Sequence, residues 1–305
     1  MTSPTLRLGT RGSRLALWQA EWVRDALART GTTVEIVVIK TQGDTEVDRP
    51  LHQLEGTGFF TKAIEDALLA ERIDIAVHSL KDLPTKFPDG LALGAVPARY
   101  DPAEALVSRD AAANSIDALP QGGRVGTSSL RRLSQLRYRR PDLDVVSLRG
   151  NVPTRVDKVA AGADGLDAAL LALAGLERLG LGDRVTARLD PLDLMPAPGQ
   201  GALGIEIRED DRRAAVALRP LHDATSFGAV AAERGLLAAL GGGCQAPVGA
   251  WVDVLGSRLY GRVTATDGSV QLTASAALDL KRPTAAAEAV AHLLESQGAS
   301  KLLAR

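Results

Sequence analysis

Cysteine is almost absent. The chain of 305 residues has one, Cys244, which excludes an intramolecular disulfide and points to a reducing compartment. Aromatic residues make up only 3% of the chain, so the cores must be built from Ala, Leu and Val. No apolar run approaches the roughly 18 residues of a membrane-spanning helix. Met1 to Arg14 lacks the apolar stretch of a secretory signal. Neither charge sign dominates: the formal net charge is −1, which argues against a dedicated nucleic-acid binder. A Walker phosphate loop is missing, and Gly56-Thr57-Gly58 lacks the third glycine of a dinucleotide fingerprint. The histidines have neither metal-ligand spacing nor the order of a Ser-His-Asp triad. The expectation is a cytoplasmic protein with no metal, acting on small molecules rather than on nucleic acid or membrane.

What is present is alternation. Leu6 to Gly9 reads as a strand, and Ser13 caps a helix from Arg14 to about Arg29. Val34 to Lys40 is a β-branched run and reads as a buried strand. Thr61 to Glu71 is an amphipathic helix with Ile64, Leu68 and Leu69 on one side, and Ile73 to Val77 is a second buried strand. The pattern returns at Arg124 to Gly126, Leu130 to Arg139, Asp144 to Leu148, the helix ending near Ala161, and Leu166 to Leu173. Such repeats imply mostly parallel sheets covered by helices. Proline-bearing joints at 96–102 and 194–201 suggest a chain that leaves a first domain and returns, with Leu203 to Ile207 rejoining the first sheet. After a helix from about Ser226 to Leu240, alternating stretches at Ala250 to Val254, Arg258 to Val263 and Val270 to Ala276 precede a last helix from Thr284 to Gln297. The expected fold class is α/β with a smaller α+β C-terminal domain. The expected division is 1–97 with 198–219, then 101–195, then 221–305.

Charge is uneven within this frame. Arg124 to Lys158 holds nine Lys and Arg against three Asp, an excess of six. Arg11, Arg131, Arg132, Arg149 and Arg155 fall at or just beyond the C-terminal ends of predicted strands, and Arg178 follows the strand ending near Leu173. Ligands bind in the crevice outside those ends, where helix N-termini favour anions. Ser13, Thr127, Ser128 and Ser129 add hydroxyls there. Arginine pairs with carboxylate or phosphate in bidentate fashion, although any one arginine alone reads equally as solvated surface. Arg137, Arg139 and Arg140 end a helix and read as surface. Asp82, in His78-Ser79-Leu80-Lys81-Asp82, is either a turn aspartate or a carboxylate that moves protons; His78 reads as structural. Gly241-Gly242-Gly243-Cys244 presents a thiol with little cover. It is either a small buried residue or an attachment point. Two rivals share these features in part: a solute-binding module closing on an anion, and a nucleic-acid binder using Arg131 to Arg140, where Tyr138 is the one aromatic.

Seven stretches in order carry a resemblance: Leu8 to Ser13, Ala16 to Ala20, Asp74 to Asp82, Gly126 to Arg132, Ser147 to Val152, Pro198 to Ala202 and Gly241 to Pro247. Together they resemble the porphobilinogen deaminase (hydroxymethylbilane synthase) family of tetrapyrrole biosynthesis. The resemblance implies two periplasmic-binding-protein-like α/β domains and a third that carries the cysteine. It implies a dipyrromethane primer joined by a thioether to Cys244, and four porphobilinogen molecules added head to tail with loss of ammonia. Hydrolysis then releases hydroxymethylbilane. By the same resemblance, Asp82, Arg11, Arg149 and Arg155 are catalytic. Lys81, Ser129, Arg131, Arg132, Thr127, Ser79 and Gly243 hold the cofactor. Arg11, Ser13, Arg149, Arg155, Arg178 and Gln200 hold substrate. A monomer is implied, with hand-off of product to uroporphyrinogen III synthase. One departure stands out: many members carry a lysine in the glycine loop where this chain has Thr57. The segment from Asp44 to Phe60 is the expected lid.

Overall fold

The computed structural model describes residues 5–41, 61–243 and 246–303. The expected lid and Cys244 lie outside the described residues. The chain divides into two compact units. The first comprises Met1–Arg49, Glu55–Tyr100 and Ala202–Phe227, and most of the second is Asp101–Gly201 with Gly228–Arg305.

The first unit is built on a five-stranded sheet. Strands β1 (Leu6–Thr10), β2 (Val34–Val38) and β3 (Ile75–Ser79) run parallel, joined by helix α1 (Arg14–Ala28) and helix α2 (Lys62–Leu69). Strand β4 (Leu91–Ala95) follows at the far side. The segment at 203 does return: β10 (Leu203–Arg208) inserts antiparallel between β3 and β4, giving the order β2-β1-β3-β10-β4. One face of this sheet packs Leu8, Ile75, Val77 and Ile205 against Ala20, Val23 and Leu27 of α1. Each fully buried leucine contributes about 1.5–3 kcal/mol relative to an exposed one. The other face packs Ala76 against Ile64 and Leu68 of α2.

Two expectations fail here. Val34 to Val38 is an edge strand, and Val38 is 53% exposed. A β-branched run signals a strand, but it does not say how many neighbours the strand has. Leu69 is 47% exposed, because α2 ends there and its covered stripe runs through Ile64 and Leu68.

The second unit repeats the strand order. Strands β6 (Arg124–Gly126), β7 (Asp144–Val146) and β8 (Ala168–Ala172) are parallel, with α3 (Leu130–Arg139) and α4 (Val152–Ala160) between them and α5 (Leu173–Arg178) after. Strand β5 (Glu104–Ser108) runs antiparallel between β8 and β9 (Ala187–Leu189), giving β7-β6-β8-β5-β9. In both sheets the antiparallel strand is the first one after a proline-bearing joint. A strand running the opposite way starts where its parallel neighbours end. Glu104 therefore stands opposite Ala172, at the C-terminal rim.

Helix α6 (Arg212–Leu218) follows β10, and α7 (Ala224–Ala239) leads to a three-stranded antiparallel sheet. Its strands are β11 (Val248–Asp253), β12 (Arg258–Thr264) and β13 (Gln271–Ala277). The chain closes with α8 (Pro283–Ser296) and α9 (Ala299–Leu303). Leu236, Val263, Val290 and Leu294 centre this third core. The α/β class with a smaller α+β part is the architecture observed. Glu233 of α7 ties it to the second joint: its carboxylate accepts from Gly199 N–H and Val252 N–H at 2.8 and 2.9 Å.

Candidate active site

In the first unit, the rim where β1 and β3 end holds a pocket. Arg11, Ser13, Gln19, Thr61, His78, Ser79 and Asp82 are among its lining residues. β1 ends at Thr10, so Arg11 enters the rim directly. Ser13 Oγ accepts from Ala16 N–H at 3.3 Å and caps α1, so its own proton stays available to a ligand. Gln19 is buried, and its amide donates to Ser79 Oγ at 2.9 Å, which fixes that hydroxyl. β3 runs into a single 3₁₀ turn, Leu80–Asp82, which presents Lys81 half-buried and Asp82 exposed. The pocket therefore combines a guanidinium, three hydroxyls, an amide, an imidazole and a carboxylate. A ligand bearing both carboxylates and polarised N–H groups fits that donor and acceptor set.

The second unit gathers the other arginines at the equivalent rim. Thr127, Ser128 and Ser129 link β6 to α3. Ser128 Oγ donates to Leu148 O at 2.6 Å, Thr127 Oγ1 accepts from Ser129 N–H at 3.3 Å, and Ser129 Oγ caps α3 at Arg132 N. Arg131 and Arg132 sit in that first turn, 4% and 6% exposed. Rather than standing free, they close on Glu104. Arg131 Nη2 lies 2.5 Å from Glu104 Oε1, and Arg132 Nη2 lies 2.7 Å from Oε2. Arg131 also donates to Met195 O at 2.6 Å and Arg132 to Leu170 O at 3.0 Å. Burial pulls the Arg131 guanidinium below its ordinary value, against the pull of Glu104. Two cations on one anion leave a net positive charge, which a ligand carboxylate reaching this rim would meet.

Arg149 and Arg155 are half-buried beside the turn after β7. Gly150 there has φ +113°, in the region that favours glycine. That turn sets Asn151 to cap α4 through Thr154 N–H at 2.9 Å, and Gly150 O accepts from Arg155 Nε at 2.8 Å. Arg178, 9% exposed, donates to Gly201 O at 2.7 Å. Gln200 is fully buried, and its amide donates to Pro102 O at 2.8 Å. Arg178 thus ties α5 to the second joint, and Gln200 ties the second joint to the first. Arg139 and Arg140, read as surface, are half-buried and pair with Asp117 and Asp142 at 2.7 Å each. At the glycine run, Gly241 ends α7 at φ +65°, and Gly243 is exposed, with none of the described residues within 4 Å of where a Cβ would stand.

Sequence reasoning missed Glu104, Gln19, Glu65 and Glu206. Glu104 follows Asp-Pro-Ala with no periodic signal, and only the antiparallel placement of β5 brings it to the arginines. His78, read as structural, is buried but also lines the pocket. Among the described residues no group of three His, Cys, Asp or Glu is placed to hold a metal ion, and no helix is long and apolar enough to cross a membrane.

Comparison with known proteins bears on this arrangement. Residues 6–216 match the family model described as porphobilinogen deaminase, dipyromethane cofactor binding domain, and residues 227–296 match its C-terminal domain. The porphobilinogen deaminase of Syntrophobacter fumaroxidans is 49% identical over 281 residues, covering 91% of this chain and 90% of that one. That of Acidithiobacillus ferrooxidans is 49% identical over 306 residues, covering 98% and 97%. Among solved structures, a periplasmic substrate-binding protein of an ABC transporter from Coxiella burnetii matches with a TM-score of 0.43 at 15% identity, over 72% of this chain and 92% of that one. That likeness is too distant to carry an argument.

Proposed function

We propose, from the premise that this chain belongs to the porphobilinogen deaminase family, that Asp82 and the rim arginines are its catalytic machinery and Cys244 its anchor. The activity itself is that of a transferase of tetrapyrrole biosynthesis. It joins four porphobilinogen molecules head to tail with release of ammonia and then frees the linear product by hydrolysis. The dipyrromethane cofactor supplies the pyrrole end to which each new unit is joined. The observation that carries the assignment of residues is the first-unit pocket, where Asp82 is the one carboxylate among the described lining residues, which include Arg11, Ser13 and Ser79.

Each side chain has a physical task in this reading. Porphobilinogen carries an acetate and a propionate, and its ring N–H becomes more acidic as the aminomethyl group loses ammonia. Asp82 accepts and returns the ring proton and faces the positive charge that develops. Arg11 and Ser13 hold substrate carboxylates in the same pocket, and Ser79, fixed by Gln19, contacts the cofactor. Lys81, Ser129 and Thr127 contact the cofactor, with Arg131 and Arg132 supplying net positive charge around Glu104. Arg149 and Arg155 pair with carboxylates of the growing chain. Arg178 and Gln200 act on substrate through the joint backbone they hold. Gly243, exposed, adjoins the anchoring Cys244 in sequence. The domain division 1–97 with 198–219, 101–195 and 221–305 belongs to the same proposal, supported by one sheet in each part. So do a monomeric state, a cytoplasmic location and hand-off of product to uroporphyrinogen III synthase.

The test is the intact mass of the protein before and after Cys244→Ser. The expected result is an added mass of two porphobilinogen units less their ammonia, lost in the variant. No added mass, even after incubation with porphobilinogen, would overturn the anchor. The loaded protein should also melt at a higher temperature than the variant, because a group bound only to the folded state stabilises it.

A further inference from the structure

One carbonyl of the second joint holds the Arg131 guanidinium, and that carbonyl is itself held from two sides. Met195 is fully buried, and Gln135 of α3 binds both its polar groups. Met195 N–H donates to Gln135 Oε1 at 2.8 Å, and Met195 O accepts from Gln135 Nε2 at 3.0 Å. The same oxygen accepts from Arg131 Nη1 at 2.6 Å, so both of its lone pairs are used. Arg131 and Gln135 are four residues apart on α3 and therefore share a face. Arg131 is thus gripped at two points, by Met195 O at Nη1 and by Glu104 at Nη2.

The three-stranded sheet approaches the joint from the other side. Arg262 of β12 is 7% exposed and spends its guanidinium on neutral acceptors. Nη1 donates to Gln135 Oε1 at 3.1 Å and to Asp193 O at 3.2 Å, Nη2 to Leu192 O at 2.7 Å, and Nε to Thr273 Oγ1 at 3.3 Å. The contact with Gln135 selects one orientation of its amide, because a guanidinium only donates. A reversed amide would set its NH₂ against Arg262 and against Met195 N–H, and its oxygen against Met195 O. Such mismatches are costly in a buried site. Gly249 of β11 stands opposite Arg262 in the strand register. A Cβ there would lie 2.9 Å from Met195 Cβ and 3.0 Å from Met195 O. The glycine therefore lets the sheet settle on Met195, and the arginine beside it reaches over the joint to α3.

We propose that Arg262 and Gln135 are positioning residues for the primer: Arg262 fixes the Gln135 amide, the amide fixes Met195, and Met195 O holds the Arg131 guanidinium in the geometry that meets the primer. This rests on the cofactor role given to Arg131 above. Neither Arg262 nor Gln135 need touch the primer. Arg262 belongs to the same C-terminal part of the chain as Cys244, so one domain both anchors the primer and sets a cation that meets it.

The test is a double-mutant cycle in kcat/KM for porphobilinogen, with rates referred to the fraction of protein that carries primer by intact mass. Arg262→Met keeps an unbranched side chain and removes the fork. It is expected to lower kcat/KM about tenfold in the native background, but less than about twofold where Arg131 is already Leu, since the group it acts through is then gone. A variant that only loosens the fold costs the same factor in both backgrounds, and equal factors overturn the proposal. Gly249→Ala displaces Met195 O while leaving Arg262 and Gln135 in place; it carries the same expectation and replaces Arg262→Met should that variant fail to fold. Should Arg131→Leu fail to fold, Arg131→Lys replaces it, because one ammonium lacks the fork that joins Met195 to Glu104. A native kcat/KM in the Arg131 variant alone would instead reject the cofactor role of Arg131. The link between the two arginines is then read from urea unfolding of the same proteins: losses that fall short of additive support it, and additive losses overturn it.

Discussion

Arg132 Nη2 lies 2.7 Å from Glu104 Oε2, with the carboxylate wholly buried and the guanidinium nearly so. The pair joins the first turn of α3 to the first residue of β5, and Arg131 completes it from the same turn. Removing one partner of a buried pair costs far more than the pair contributes, because the other charge is left uncompensated. Glu104→Ala leaves two buried guanidiniums facing each other. It is expected to lower unfolding free energy by about 3–5 kcal/mol, read by urea denaturation. Primer loading in the same variant should fall as well, because the arginines no longer hold one geometry; full loading at reduced stability would mean that Glu104 serves the fold alone.

Asp82 is exposed at the end of a single 3₁₀ turn and supports no core. Asp82→Asn is isosteric and should leave the melting temperature within about 1 °C of the parent, as surface substitutions usually fall within ±0.5 kcal/mol. Turnover should fall by about 10²–10⁴-fold, the range lost with a positioned general acid or base. Steady-state kinetics and intact mass on the same preparation check both halves. Near-normal turnover would return Asp82 to the status of a turn residue.

The contrast between these two carboxylates shows what the sequence makes legible. Asp82 is visible in sequence because it follows an apolar strand at its C-terminal end, and chain order alone puts it at the rim. The helix at 14 is legible for a similar reason: Ser13 announces a cap, and its Oγ accepts from Ala16 N–H; Ser129 and Asn151, not read as caps in the sequence, do the same for the helices at 130 and 152. Glu104 and Glu206 are not legible, since each lies on an antiparallel strand whose paired neighbours are far away in the sequence. Local periodicity cannot say which layer covers such a strand, so Glu206 reads as the polar position of an alternating strand and is instead sealed under α2. The depth of Arg131 and Arg132 was hidden for the same reason, because only Glu104 makes their burial tolerable.

Arg149 stands half-buried before Gly150, and its carbonyl accepts from Lys158 Nζ at 3.3 Å. The backbone of this turn is held by the glycine conformation and by Asn151, so truncating the arginine should not unfold it. Arg149→Leu is expected to retain the fold and to stall in primer assembly or elongation, leaving enzyme–substrate complexes that mass spectrometry resolves as a ladder of equal steps, each one porphobilinogen less ammonia. A raised KM with unchanged kcat would assign the arginine to uniform substrate binding, and a fall in both kcat and kcat/KM would assign it to the reacting state. Wild-type elongation would make it a surface residue.

Glu65 yields a prediction whose sign follows from linkage. Burial raises its carboxyl above the ordinary range, so the folded protein binds a proton that the unfolded chain has already released at intermediate pH. Stability then falls as pH rises from the ordinary glutamate range through the raised value, because the folded state holds more protons than the unfolded one. Below that window both states are protonated and the contribution is constant. Glu65→Gln mimics the protonated acid at every pH, so the variant should melt with a flatter pH dependence in that window and should gain on the parent as pH increases. Melting curves taken from acid to neutral pH check this directly. If parent and variant keep a constant separation throughout, Glu65 titrates like a solvated glutamate and the dry layer beneath α2 admits water.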